Sequence, residues 1–231
     1  MAETLRQALS LLISFDQHVL VVIALSLQVS LSALFIGVVI GLPLGAWLAL
    51  HKFPGRTVAI VVMNTLMGLP SVVVGVMIYL ALSRSGPFGS LGLLFTPWAM
   101  ILAQSMLAIP LVAAVSRQII EDAWKEYVAE FSVYRIRLLS RLKLLLIDCR
   151  FSLLVAVLAG MGRTMSEVGA AMIVGGNIEG FTRVMTTTIA LETSKGDLPL
   201  SIALGVLLMS LILILNVFTY WLKRLDVEAE P

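Results

Sequence analysis

Three consecutive stretches of this chain contain no Asp, Glu, Lys, Arg or His: Val19–Leu50, Thr57–Ser83 and Ser85–Ser116. A helix needs roughly 20 largely apolar residues to cross the hydrocarbon core of a bilayer, and each run exceeds that length. Soluble domains carry about 25% charged residues. Here charged residues make up 13%, hydrophobic residues 59%, and mean hydropathy is +1.02. The chain therefore reads as an all-α integral membrane protein.

Five spans are expected, at about residues 19–50, 57–83, 97–117, 151–174 and 198–222. The third starts at Pro97 because "SGPFGSLGLLFTP" is rich in Gly, Pro and Ser and reads as a loop. Pro43, Pro70 and Pro110 fall one in each of the first three spans, where proline frees a carbonyl and kinks a helix. "GVVIGLPLG" (Gly37 to Gly45) suits close helix packing, because small residues let backbones approach in lipid.

Five spans put the termini on opposite sides of the membrane, and Lys and Arg choose the side. One side would hold Lys52, Arg56, Arg117, Lys125, Arg135, Arg137, Arg141, Lys143, Arg150, Lys223 and Arg224. The other would hold only Arg6, Arg84, Arg183 and Lys195. The C-terminus is accordingly expected in the cytoplasm and the N-terminus outside. The start, "MAETLRQALSLLISFDQ", lacks the pattern of a secretory signal and reads as retained. Within residues 1–18, Leu5, Leu9, Leu12 and Ile13 are spaced like one face of an amphipathic helix on the outer interface. The tail, residues 223–231, is expected in the cytoplasm.

Residues 118–150 are expected to form a cytoplasmic loop, where the chain's charge is densest. Ile120, Trp124, Tyr127 and Phe131 make one helical stripe. Ser132 is expected to break that helix, and "VYRIRLLSRLKLLL" resumes as a second amphipathic one. Such a pair either lies on anionic lipid or docks a cytoplasmic partner.

"EYVAEFSVYRIRLLSRLKLL" (Glu126 to Leu145) resembles the coupling loop of ABC importer permeases, whose pattern is Glu-Ala-Ala, three residues, Gly, nine residues, Ile-x-Leu-Pro. Glu126 takes the Glu position, followed by Tyr127, Val128 and Ala129. Ser132 stands for Gly, and Leu142, Leu144 and Leu145 stand at the Ile, Leu and Pro positions. "GRTMSEVGAAMIVGGNIEGFTRVMTTTIALETSKGD" (Gly162 to Asp197), "GLPSVVVGVMIYLALSRSGPFG" (Gly68 to Gly89) and "GLPLGAWLALHKFPGR" (Gly41 to Arg56) are similar to permease subunits of tungstate importers, a branch near the molybdate permeases. The resemblance implies a five-helix type I ABC importer permease core with cytoplasmic coupling helices, in a prokaryotic cytoplasmic membrane. It implies a homodimer with the pathway on its two-fold axis, a separate cytoplasmic ABC ATPase docking near Glu126, Ala129, Ser132, Leu142, Leu144 and Leu145, and an extracytoplasmic binding protein. Transport would proceed by alternating access.

Arg163 and Glu167 stand inside an apolar run. Four apart on a helix, they share a face. A lone central charge costs about 2.5–3.5 kcal/mol to insert, so pairing turns both inward. The pair either braces the bundle or lines a path for an oxyanion, where Ser166 would accompany it. Beyond it, "VGGNIEGFTRVMTTTIALETSKGD" is too polar to span. Asn177, Thr182, Thr186 and Thr187 are the candidates for an outer gate or a docking loop.

No Gly-x-x-x-x-Gly-Lys-Ser/Thr occurs, so this chain is not expected to hydrolyse ATP. The single Cys149 excludes an intramolecular disulfide and offers no metal-site spacing. No cofactor, metal or nucleic acid is expected. Alternatives to tungstate are molybdate or sulfate as cargo. A stand-alone carrier or channel would require an inverted repeat, which is not evident. A scaffold without transport would not need the ionic pair.

Overall fold

In the computed structural model, residues 17–133 and 138–227 are described, and those residues contain helices and turns but no strand. The helices are α1 (Gln17–Leu50), α2 (Arg56–Met67), α3 (Ser71–Leu82), α4 (Pro97–Val133), α5 (Leu138–Asp148), α6 (Arg150–Met165), α7 (Gly169–Gly175), α8 (Met185–Lys195) and α9 (Leu198–Val227). A 3-10 turn at Gly89–Leu91 marks the segment read as a loop. The amphipathic pattern at residues 1–16 and the end of the tail lie outside the described residues.

Three helices have the length and apolarity of a membrane span: Val19–Leu50, Pro97–Val128 and Leu198–Phe218. Two helix pairs reach it only together. They are α2 with α3, bent by 97°, and α5 with α6, bent by 73°. Counted as one span each, these pairs bring the total to five.

Three expected boundaries change. Residues 57–83 are not one straight span but two 12-residue helices broken at Gly68-Leu69-Pro70. Pro70 lacks the N–H to continue a ladder, and it sits at the N-cap of α3 with extended backbone. The fourth expected span, 151–174, is likewise two helices, because α6 stops at Met165 and α7 starts at Gly169. The third does not end at residue 117: α4 continues for 37 residues to Val133, past Ser132. Pro43 and Pro110, by contrast, lie inside unbroken helices.

The frame is the pairing of α1 with α4, the most extensive helix contact among the described residues. Lipid tails are as apolar as leucine, so close packing rather than water exclusion joins helices in a bilayer. Gly37, Gly41 and Gly45 make that approach possible. A Cβ on Gly37 would stand 2.9 Å from Ala108 Cβ, on Gly41 2.9 Å from Ile109 O, and on Gly45 2.5 Å from Ala113 O. Above this contact, Val29, Ala33, Met100, Ala103, Val74 and Val174 form a fully buried core. Below it, Ala46, Ala49, Ile120, Phe131, Leu145 and Leu153 form a second cluster. That cluster fastens the basic amphipathic helices to the end of α1. The outer faces of α2, α3 and α9 expose large apolar side chains such as Val58, Val76, Leu80, Leu213 and Phe218.

Candidate functional site

The two helix breaks meet. α3 packs on α7, and the contact is tight enough that a Cβ on Gly169 would stand 2.7 Å from Val72 Cγ2 and one on Gly75 3.0 Å from Ala170 Cα. Arg163, in the last turn of α6, spans both breaks. Its Nη2 donates to Leu69 O at 3.0 Å, a carbonyl in the α2–α3 break. Its Nε lies 2.8 Å from Glu167 Oε1, in the α6–α7 break. The expected pair therefore forms, but not along one uninterrupted helix, since Ser166 is the C-cap of α6. Ser166 Oγ donates to Gly162 O at 2.8 Å, a carbonyl that also accepts from Ser166 N, and lies 3.2 Å from Arg163 O.

Burial is unequal. The Arg163 side chain is 31% exposed and that of Glu167 only 6%. Ser166 is exposed beside them, as are Met67 and Gly68 across the break. Irregular backbone at membrane depth is tolerated only where it is buried in protein or lines a water-filled cavity. One flank of this junction is packed and the other open, so the open flank is suited to water. A partly exposed guanidinium whose charge is balanced by a neighbouring carboxylate offers an anion a weak contact rather than a trap.

The threonines face inward. Thr186 Oγ1 donates to Glu167 O at 3.0 Å, so α8 is tied to the same break. Thr182 Oγ1 donates to Gly175 O at 2.6 Å and accepts from Ile178 N at 2.9 Å, closing the turn after α7. Thr187 Oγ1 accepts from Val184 N at 3.0 Å, which caps α8. Asn177 adopts left-handed backbone with φ 50 in the same turn. Thr182, Thr186 and Thr187 are all buried, so they hold the α7–α8 connection to the bundle and present no free hydroxyl row.

Sequence reasoning overlooked the polar groups that receive α8. Met185 N donates to Ser26 Oγ at 2.7 Å, and Ser26 Oγ donates to Val22 O at 2.6 Å. Ser26, Ser30, Gln104 and Thr164 are buried between α1, α4, α6 and α8. The signal was there: Ser26 and Ser30 are four apart, and Gln104 is the one amide side chain in the apolar run after Pro97. A second ionic cluster was also missed. Glu121 on α4 pairs with Arg117, and its Oε2 lies 3.3 Å from Arg56 Nη2. Arg56 Nε donates to Leu48 O at 2.8 Å. Glu121 thereby locks the ends of α1 and α2 to α4.

The expected coupling residues form a separate surface. Trp124, Tyr127 and Phe131 pack together, with Trp124 and Phe131 centroids 5.8 Å apart, and Arg141 lies 5.6 Å over the Trp124 ring. The stripe holds α5 against the end of α4. Leu145 is 1% exposed and Leu142 half-buried against it. Glu126 and Leu144 face outward. Ala129 and Ser132 lie in the last turns of α4. No group of His, Cys, Asp and Glu suited to a metal occurs among the described residues.

The sequence pattern of the family described as binding-protein-dependent transport system inner membrane component matches residues 41–225. A tungstate uptake system permease protein of Peptoclostridium acidaminophilum is 38% identical over 223 residues, covering 96% of this chain and 98% of its own. Its counterpart in Campylobacter jejuni is 37% identical over 219 residues, covering 95% and 92%. A probable anion ABC transporter permease protein of Haloferax volcanii is 40% identical over 203 residues, covering 84% and 85%.

Proposed function

The chain belongs to the family of binding-protein-dependent transport system inner membrane components, and from that premise we propose that it is the multi-pass permease subunit of an ATP-driven importer whose cargo is tungstate. The observation that carries this reading is the junction of two helix breaks under Arg163, packed on one flank and open on the other. It supplies what a passage for a dianion needs: irregular backbone, a polar exposed flank and a charge partly cancelled by its neighbour. The path runs along the open flank of α3, α6 and α7 and is completed by a second copy of this chain around a two-fold axis. The exposed apolar faces of α2 and α3 are shared between that copy and lipid.

A separate ABC ATPase hydrolyses ATP in the cytoplasm and docks on α5 and the end of α4 through Glu126 and Leu144. A binding protein outside delivers the anion to the α7–α8 connection. The N-terminus is outside and the C-terminus cytoplasmic. ATP-driven closure of the ATPases moves the coupling surface, and alternating access follows because α4 joins that surface to the bundle.

The test uses this chain with its ATPase and binding protein in liposomes. Metal uptake is measured by mass spectrometry while tungstate, molybdate and sulfate compete. Uptake of tungstate that requires ATP and resists a tenfold excess of the other two anions is the expected result. ATP-dependent uptake of another oxyanion in preference to tungstate refutes the cargo. Uptake unaffected by removing ATP refutes the mechanism.

A further inference from the structure

A small cavity of about 10 Å³ lies where α1, α4, α6 and α8 converge, lined by Ser26, Ser30, Gln104, Thr164 and Thr186 among apolar neighbours. Gln104 is 2% exposed, and its Oε1 has no hydrogen-bond partner. The N-terminus of α8 opens onto the same space. Its N-cap is Val184, whose side chain has no oxygen with which to cap. The first amides of a helix lack intrahelical partners, and Met185 N already reaches across to Ser26.

We propose that one water molecule resides in this cavity and joins the amide of Gln104 on α4 to the first turn of α8. The volume admits about one water and nothing larger, which excludes an oxyanion. The donor balance agrees. The hydroxyl protons of Ser26, Thr164 and Thr186 are committed to Val22 O, Met161 O and Glu167 O. What the side chains leave toward the cavity is oxygen lone pairs and the Gln104 amide, and the first turn of α8 adds backbone N–H groups, a setting for a molecule that both donates and accepts. No carboxylate lines the space, so a cation would be left buried without a counter-charge. Buried waters make about three hydrogen bonds to groups otherwise unsatisfied, and Gln104 Oε1 is such a group. The consequence is a wet joint: α8 is held to α1 by a direct bond and to α4 through a molecule that re-forms its bonds in a new geometry.

Solid-state NMR of the full chain in deuterated lipid bilayers tests this by magnetisation transfer from water to backbone amides. Met185 is compared with Ala103, which is fully buried but does not line the cavity. Transfer to Met185 several-fold above that to Ala103 is the expected result, with Gln104→Met reducing it to the Ala103 level. Should Gln104→Met not assemble, Ser30→Ala removes another acceptor and is expected to cut the transfer at least twofold. Equal transfer to Met185 and Ala103 in the unaltered chain overturns the proposal. So does a Met185 signal that appears only when choline replaces sodium, since a cation then holds the space in its place.

Discussion

Removing either partner of the Arg163–Glu167 pair is not symmetrical, and the structure says by how much. Replacing Arg163 with Met leaves Glu167 6% exposed with its counter-charge gone. It also strands Leu69 O, the carbonyl that Arg163 satisfies in the α2–α3 break. Breaking a buried pair in this way costs about 3–5 kcal/mol. Replacing Glu167 with Gln leaves Arg163 its bond to Leu69 O and a side chain 31% open to solvent. The loss is then one ion contact of a partly exposed guanidinium, whose Nε makes no aligned hydrogen bond to the carboxylate, about 1–3 kcal/mol. A chain of this size shifts in melting temperature by roughly 2–4 °C per kcal/mol. Arg163→Met should therefore lower the melting temperature by on the order of 10 °C, and Glu167→Gln by about half as much. The double variant should melt above Arg163→Met alone, because the stranded carboxylate is gone. The assay is thermal unfolding in one detergent, followed by the fluorescence of the chain's four tryptophans. Equal losses from the two single variants, or a double variant that simply sums them, would refute the brace and leave Arg163 as a lining residue alone.

Gly45→Ala should destabilise by about 1–3 kcal/mol through overpacking against Ala113 O, whereas Gly205→Ala, with nothing within 4 Å, should gain up to about 1 kcal/mol of helix propensity; the two melting curves check it. Glu126→Ala, at an exposed site, should leave stability within about 0.5 kcal/mol yet abolish stimulation of the partner ATPase by cargo. Cys149 is buried, and its thiol is pushed up first by burial, then by Asp148 and Glu126. The thiolate is the reactive form, so maleimide labelling of the folded protein should be slow at pH 7.5 and rise only above the range of an ordinary thiol. Glu121→Gln should loosen Arg56 from α4, raising protease access at the α1–α2 turn after Leu50.

Much of this architecture was legible because lipid imposes it. Runs without charge had to be helices, and Gly37, Gly41 and Gly45 recur every four residues because α4 presses on that face. Pro70 reads in the sequence only as a kink within one span, alike with Pro43 and Pro110, and only at Pro70 does the helix break. The break at Ser166–Val168 carries no proline. It arises because Ser166 takes carbonyls of the preceding turn and Gly169 then packs on Val72, contacts invisible before the fold exists. The end of the third span was misplaced for a related reason. Charge begins near Arg117, and bilayer thickness suggested a stop there, but no residue between Pro110 and Val133 breaks a helix. The membrane boundary changes the solvent, not the backbone. The ionic pair was legible as a pair, yet its third partner is a backbone carbonyl 94 residues away, which no side-chain pattern encodes. Thr186 looked free from spacing alone, and tertiary contact with Glu167 decided otherwise.

The uninterrupted course of α4 has a mechanical meaning. From Ala108, where it is pinned against Gly37, to Phe131 there are 23 residues, about 34 Å of helix at 1.5 Å each. A tilt of about 5° around that pin sweeps the far end through about 3 Å. The rod therefore works as a lever with its fulcrum at a glycine. In the proposed importer, an angstrom-scale push on the far end of α4 would become a small rotation at the Gly37 contact, with no intervening loop to absorb the stroke.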